Sequence, residues 1–298
     1  MPHNSPIIPH LSIIGMGLIG SSIARAAKLK GLAGSISVSD ASPTVLARLQ
    51  ELNIADHVHE HASNAVKDAD LVILCVPVGV MPSVAQSIAG SLKSGAILSD
   101  VGSVKTAISR EIAPLLNSDV HFIPAHPVAG TEYSGPDSGF SSLFENRWCI
   151  ITPPETSDAD AVSLLQKFWE GLGSLVETMS AEHHDLVLAI TSHVPHLIAY
   201  NIVGTAADLE TVTQSEVIKF SAGGFRDFTR IAASDPTMWR DVFLNNKDAV
   251  LEVLGRFTED LSALQRMIRW GDGDGLFELF TRTREIRRGI VALGQEKN

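Results

Sequence analysis

Leu11-Ser12-Ile13-Ile14-Gly15-Met16-Gly17-Leu18-Ile19-Gly20 reads as a strand running straight into a glycine-patterned turn, with helical spacing from Ser21 to Leu29. The glycines stand in a Gly-x-Gly-x-x-Gly pattern, and each has its own physical reason. Gly15 permits the tight turn, Gly17 lets backbone approach a pyrophosphate, and Gly20 lets the helix pack on the strand. Phosphates would then rest on the helix N-terminus, where unpaired N–H groups point outward. A glycine pattern alone is weak, but between strand and helix it is specific.

Working outward, Ile36-Ser37-Val38-Ser39-Asp40 is a short alternating strand that ends in an acid twenty residues after Gly20. A carboxylate at that spacing hydrogen-bonds the adenine ribose hydroxyls. Ala41, Ser42, Pro43 and Thr44 follow without an arginine, which favours NAD over NADP. The competing role for Asp40 is capping the helix that starts near Pro43. Leu71 to Val76 is a continuous apolar run of the parallel, central-strand type, ending in the turn Val76-Pro77. Gly15, Met16, Gly17, Leu18, Ile19, Gly20, Asp40, Val76 and Pro77 are therefore the candidate cofactor-binding residues. His57-Val58-His59-Glu60-His61 is read as a short strand or solvated loop rather than a metal site, because no further ligands cluster nearby.

Ala96 to Asp100 is the next strand, and Val101-Gly102-Ser103-Val104-Lys105 leads into a helix with Ser103 placed as its N-cap. The Ser103 hydroxyl is also placed to bridge a substrate hydroxyl and an imidazole. The apolar run Val120 to Ile123 delivers His126 to a loop at a strand's carboxyl end, where open α/β sheets bind ligands. Pro127 disfavours helix for the residue before it and so keeps His126 extended. A histidine so placed can act as a general base near neutral pH; taken alone, it is better read as a partly buried structural residue. Tyr133 to Phe144 reads as a loop, Arg147 to Thr152 and Leu175 to Met179 as strands, and Ala159 to Glu170 as a helix. This alternation predicts an α/β, doubly wound, Rossmann-type domain over residues 1–180. Gly15, Asp40, Ser103 and His126 would share the carboxyl edge of one sheet.

From Ala181 onward strand signals stop, predicting an all-helical domain over 181–298. Leu186 to Val203 is apolar nearly all round and is expected to be buried, with a kink where Pro195 in Ser192-His193-Val194-Pro195-His196 pushes on the Thr191 carbonyl. In Ser221-Ala222-Gly223-Gly224-Phe225-Arg226-Asp227-Phe228-Thr229-Arg230, a helix from Phe225 would put Arg226 and Arg230 on one face, with Asp227 beside Arg230. The two arginines read either as a solvated surface pair or, for Arg230, as a bidentate carboxylate clamp. Ser234-Asp235-Pro236 reads as an N-cap followed by proline at the first helical position, with Trp239 one turn in. That helix is expected to continue through Val242 to Arg269, and Leu276 to Leu293 to close the chain.

Composition bounds the function. The 298 residues are 45% apolar and 19% charged, with a net charge of −11, which speaks against nucleic acid or an anionic membrane as partner. Two cysteines, Cys75 and Cys149, sit in apolar runs and offer neither a disulfide framework nor metal spacing. Met1 to Pro9 has no signal-peptide pattern, and no apolar run is expected to be long enough to span a bilayer. A cytoplasmic protein is expected.

With these stretches in hand, the chain resembles the prephenate and arogenate dehydrogenases of tyrosine biosynthesis, the cyclohexadienyl dehydrogenase group. The resemblance rests on Gly15 to Gly20, Asp100 to Lys105, His126-Pro127-Val128-Ala129-Gly130-Thr131-Glu132, Ser192 to His196, and Gly224 to Arg230 with Asp235-Pro236 and Trp239. It implies that His126 is the catalytic histidine and Ser103 its hydrogen-bonding partner near the nicotinamide. It implies that His196 and Arg230 hold the substrate, Arg230 through a carboxylate. Thr131, Glu132, Asp227 and Trp239 complete the implied substrate set, with Glu132 and Asp227 at its mouth. It further implies a homodimer through the helical domain; with no room expected for the fused domains of some relatives, any tyrosine feedback would have to act at the active site. The rival readings are another two-domain NAD-dependent dehydrogenase, acting on a β-hydroxy acid or imine, and a non-catalytic dinucleotide sensor. The first typically uses a lysine in its second domain, where this chain carries histidine and arginine.

Overall fold

The computed structural model describes residues 5–131, 133–208 and 223–292. Strands β1 (Ile8–Ile14), β2 (Ala33–Ser39), β3 (His57–His59), β4 (Leu71–Leu74), β5 (Ile97–Asp100) and β6 (His121–Phe122) form one sheet in the order β3-β2-β1-β4-β5-β6. Every pairing in it is parallel. The order reverses between β1 and β4, so the crevice beyond their carboxyl ends is the topological switch point of a dinucleotide-binding sheet.

Side chains alternate across the strands, and this splits the core in two. Leu11, Ile13, Leu71 and Ile73 enter one cluster with Phe168 and Trp169 of helix α6 (Ala159–Leu172). Ile14, Val72 and Leu74 enter the other, with Met81, Ala85 and Ile88 of α4 (Met81–Ile88) and with Ala107, Ile108 and Ile112 of α5 (Thr106–Ile112). Helices α1 (Leu18–Lys30), α2 (Pro43–Leu52) and α3 (Ala62–Ala65) complete the crossovers between the first strands.

One expectation fails here. The strands after β6 do not extend the parallel sheet but form a second one, β7 (Ala125–Pro127), β8 (Trp148–Ile151) and β9 (Leu175–Thr178). In it β7 pairs antiparallel with β8, and β8 parallel with β9. His126 is thus a strand residue opposite Ile150, not a loop residue at the edge of the first sheet. Cys149 is buried on β8 and Cys75, half-buried, follows β4.

The helical half opens with α7 (Ala181–Leu188), a π-helical turn (Ala189–His193) and α8 (Val194–Asp208). Pro195 lacks the N–H that would bond the Thr191 carbonyl, and the π turn takes up the misfit. The π turn stands at the position of the expected kink. These 28 residues have a mean hydropathy of 1.5 in their most apolar window and are long and apolar enough to cross a bilayer, contrary to expectation. The helical run is longer than its apolar part suggests because it starts at Ala181. It is also less buried than expected, with Ile190, Ile202 and Val203 exposed. Yet His184, Asp185 and His193 are buried and hydrogen-bonded, His184 to His126 and His193 to Asn246, as in a core helix.

Helix α9 (Gly223–Thr229) passes into a 3-10 turn (Arg230–Ala233), and α10 (Pro236–Asn245) follows. Asp235 is the N-cap of α10, its carboxylate accepting the Met238 N–H at 2.8 Å, with Pro236 at the first helical position. The expected long helix breaks at Asn246, a half-in residue outside the helical backbone region. Trp239 and Val242 of α10 are buried in the second core cluster with Val78 and Met81.

The chain divides into two compact units, Met1–Val250 and Leu251–Asn298. The second comprises most of α11 (Lys247–Trp270) and all of α12 (Gly273–Ala292). In it Leu261, Ile268, Trp270, Phe277, Phe280 and Ile286 are exposed.

Candidate active site

The glycine turn is shaped by sterics. Gly15 has φ +93°, and a Cβ there would stand 2.6 Å from the Cys75 carbonyl oxygen. A Cβ on Gly20 would stand 2.1 Å from the Gly15 carbonyl oxygen. These two glycines hold strand and helix together. Gly17 is different: a Cβ there would meet nothing within 4 Å. It is the N-cap of α1 and supplies no side-chain cap, and no acid stands in the first turn. The helix start therefore offers bare N–H groups beside open space, a cradle suited to a pyrophosphate.

Asp40 ends beside this turn. Its carboxylate accepts the Met16 N–H and the Ser42 N–H, one on each oxygen, both at 2.8 Å. Each oxygen keeps acceptor capacity for a ribose hydroxyl. Asp40 does not cap α2; Ser42 does, accepting the Val45 N–H. Val76 adjoins Gly15, its Cγ1 lying 2.8 Å from where a Cβ on Gly15 would be.

After β5, Asp100 turns back to accept the Gly102 N–H at 2.8 Å and an ion pair from the Lys105 ammonium. Both side chains are fully buried. Burial pushes the Lys105 pKa down, against the pull of Asp100 and Asp185. The ammonium also donates to the Ala125 carbonyl at 2.8 Å, tying this loop to the residue before His126. Ser103 is not the cap of α5. The helix begins at Thr106, three residues on, and its first N–H groups go to Asp185 instead. Asp185 Oδ1 accepts from Lys105 N at 2.8 Å and Oδ2 from Thr106 N at 2.9 Å.

His126 is 7% exposed. Its Nδ1 lies 2.8 Å from Nε2 of the fully buried His184, whose Nδ1 lies 2.9 Å from Asp185 Oδ1. Burial, reinforced by the charges of His184, Lys105 and His193, pushes the His126 pKa well below its usual value. The ring is therefore neutral near pH 7, as a proton acceptor must be. The partner of the ring is His184; among the described residues Ser103 makes no hydrogen bond to it.

A second group gathers on α8 and α10. His196 stacks on Trp239 with ring centroids 3.7 Å apart and planes 24° apart. Its Nδ1 donates to the Ser192 carbonyl at 2.8 Å, which leaves Nε2 as an acceptor. Burial, and then the Arg230 charge against the Ser192 bond, lowers the His196 pKa, so Arg230 lies within electrostatic reach. His193 Nδ1 accepts from the Asn246 amide at 3.0 Å, and the same amide donates to the Asp185 carbonyl at 2.8 Å. Burial pushes the His193 pKa down to about 4. Among the described residues Trp239 Nε1 is buried without an acceptor.

The remaining expected residues are less central. Thr131 is exposed and its hydroxyl accepts the Tyr133 N–H at 3.3 Å. Glu132 lies outside the described residues. Asp227 is exposed and stands 4.0 Å from Arg226; α9 stops at Thr229 and Arg230 opens a tighter turn. The expected sequence reading missed His184, Asp185 and Asn246. An acid beside a histidine at the head of a helix that then turns apolar was the available signal.

Comparisons with known proteins agree with this layout. The family model for the prephenate dehydrogenase nucleotide-binding domain matches residues 23–178, and that for the prephenate dehydrogenase dimerization domain matches 180–282. Cyclohexadienyl dehydrogenase of Zymomonas mobilis subsp. mobilis is 43% identical over 95% of this chain and 97% of its own. Prephenate dehydrogenase of Bacillus subtilis is 33% identical over 93% of this chain and 75% of its own. The crystal structure of prephenate dehydrogenase from A. aeolicus in complex with hydroxyphenyl propionate and NAD+ superposes with a TM-score of 0.88 at 32% identity. That match covers 95% of this chain and 98% of the other.

Proposed function

The chain belongs to the prephenate dehydrogenase family, and from that premise we propose that it oxidatively decarboxylates prephenate, arogenate or both, with NAD as hydride acceptor. The observation that carries this reading is the buried, neutral His126 in one compact unit with the open glycine turn and with the group of His196, Trp239 and Arg230.

NAD, when bound, accepts the hydride from the ring carbon that bears the hydroxyl. The turn Gly15 to Gly20 and the start of α1 hold its pyrophosphate, Asp40 its adenine ribose, and Val76-Pro77 lines the approach. His126 takes the hydroxyl proton as that carbon becomes a carbonyl; the ring carboxylate leaves as CO2 and the ring becomes aromatic. Ser103 stands on the neighbouring loop as a second hydroxyl for the reacting group. Arg230 meets a substrate carboxylate, and His196, braced on Trp239, accepts a hydrogen bond through Nε2. General-base help of this kind contributes roughly 10²–10⁴-fold, and positioning supplies much of the rest.

In this reading residues 1–180 bind the dinucleotide, 181–298 bind substrate and form a homodimer, and the enzyme works in the cytoplasm. The exposed apolar side chains of the second unit support the dimer. The test is one assay: purified protein with NAD or NADP and with prephenate or arogenate, followed by reduced-cofactor absorbance. Reduction with NAD and either substrate is expected. No signal in any combination would overturn the proposal, and light scattering at monomer mass would overturn the dimer.

A further inference from the structure

We infer that His184 and Asp185 are positioning residues that fix the tautomer of His126, so that Nδ1 keeps its proton and Nε2 is the nitrogen left to take one. The inference deepens the proposed role of His126 as base and rests on it.

The argument runs along a line of donors and acceptors. Asp185 receives two backbone N–H groups, from Lys105 at 2.8 Å and Thr106 at 2.9 Å. Backbone N–H groups only donate, and they stand at the start of a helix, where a negative charge is favoured. The Asp185 carboxylate is held ionised there and accepts from its third neighbour, His184 Nδ1, at 2.9 Å. A neutral imidazole has one N–H. With that proton on Nδ1, His184 Nε2 is a bare acceptor. Its 2.8 Å contact then obliges His126 Nδ1 to donate. His126, neutral in its turn, has its lone pair on Nε2.

The chemistry needs this order. When the substrate O–H bond breaks, the proton forms an N–H bond at Nε2, and Nδ1 keeps its own proton throughout. The imidazolium so formed points its Nδ1–H along His184 toward the Asp185 carboxylate, which disperses the new charge. In the opposite tautomer Nε2 would carry a proton and Nδ1, buried against His184, would be the only base. The same logic governs other histidine bases held by a buried carboxylate, here with a second imidazole between them. Asn246, just past the end of α10, donates to the Asp185 carbonyl and holds this segment in place.

The first test needs no mutation. Nitrogen-15 spectra of histidine-labelled protein at about pH 8, above the ordinary histidine range, should show His126 with a protonated Nδ1 and a bare Nε2. The signals are assigned by their loss in His126→Asn. A protonated Nε2 in the wild-type protein overturns the inference. The second test compares two variants. His184→Phe removes the acceptor and should lower kcat by about 10- to 100-fold, below the roughly 10⁴-fold ceiling of the base itself, with substrate KM within about twofold. His184→Gln, whose amide oxygen can take the same N–H, should recover most of that loss. A His184→Phe protein with wild-type kcat, or a glutamine variant no better than phenylalanine, overturns it. If His184→Phe fails to fold, the wild-type spectrum decides. His126→Asn separates the two readings: activity retained there refutes the base, whereas activity lost there but kept in His184→Phe refutes only the positioning role.

Discussion

The Asp185 carboxylate caps a helix whose N-cap residue, Lys105, lies eighty positions earlier in the chain, accepting the Lys105 N–H at 2.8 Å. The contact joins the loop carrying Ser103 to the first helix of the helical half, and through His184 it reaches His126. Folding of the two halves within the first unit is thus coupled to assembly of the site. Asp185→Ala strips the partner from two N–H groups, one of them fully buried. It should cost about 2–4 kcal/mol, since each buried group left unpaired costs roughly 1–3. Denaturant unfolding checks this; a variant within about 0.5 kcal/mol of wild type would show the cap to be dispensable.

Glycines of the first turn separate folding from binding. Gly20→Ala drives a methyl into the Gly15 carbonyl and should destabilise the protein. Gly17→Ala puts a methyl into open space at an ordinary φ of −75°, so stability should hold. That methyl nevertheless occupies the approach to the helix start, and NAD should bind at least about tenfold more weakly, a loss of roughly 1.4 kcal/mol. Calorimetric titration and thermal unfolding on both variants test the pair. Unchanged NAD affinity in Gly17→Ala would remove the turn from the cofactor site.

What was legible in the sequence was local. The glycine turn, Asp40 at the end of β2, Pro236 behind an N-cap and the disturbance before Pro195 all follow from neighbouring residues. What was hidden depends on distant partners. The three residues of β7 carry no mark that they pair with β8 rather than join β6, so His126 was expected on the wrong sheet. Ser103 looked like a cap because nothing nearby competed, whereas the true cap, Asp185, comes from another helix. His184 sits 58 positions from His126, and only folding makes them neighbours.

Arg230→Gln should act on binding. In the proposed function Arg230 meets a substrate carboxylate; the residue is exposed and its charge is felt at His196, which stacks on Trp239. Losing a charge-assisted hydrogen bond, worth roughly 1.5–3 kcal/mol, should raise substrate KM by about 10- to 100-fold with a smaller change in kcat. Steady-state kinetics at saturating NAD decide it. A fall in kcat at unchanged KM would assign Arg230 to the transition state instead.

Acid should act on the protein twice, with the same sign. Burial is the main cause lowering the pKa of His126, His184 and His193, the last to about 4. Each is neutral in the fold but takes a proton in the unfolded chain near the ordinary histidine value of about 6.5. Between the folded and unfolded pKa values the unfolded state binds more protons, so stability rises with pH there. The contribution is complete above about 6.5 and drains away as the pH falls toward the folded values. Turnover follows the same direction for another reason, because a base must be unprotonated; with its pKa depressed, His126 should keep working somewhat below pH 6.5 before kcat falls. Denaturant midpoints at about pH 7.5 and pH 5, with kcat measured over the same span where the protein stays folded, test both. A midpoint equal or higher at the acid end would contradict the buried neutral histidines, and a kcat that rose toward acid would contradict His126 as the base.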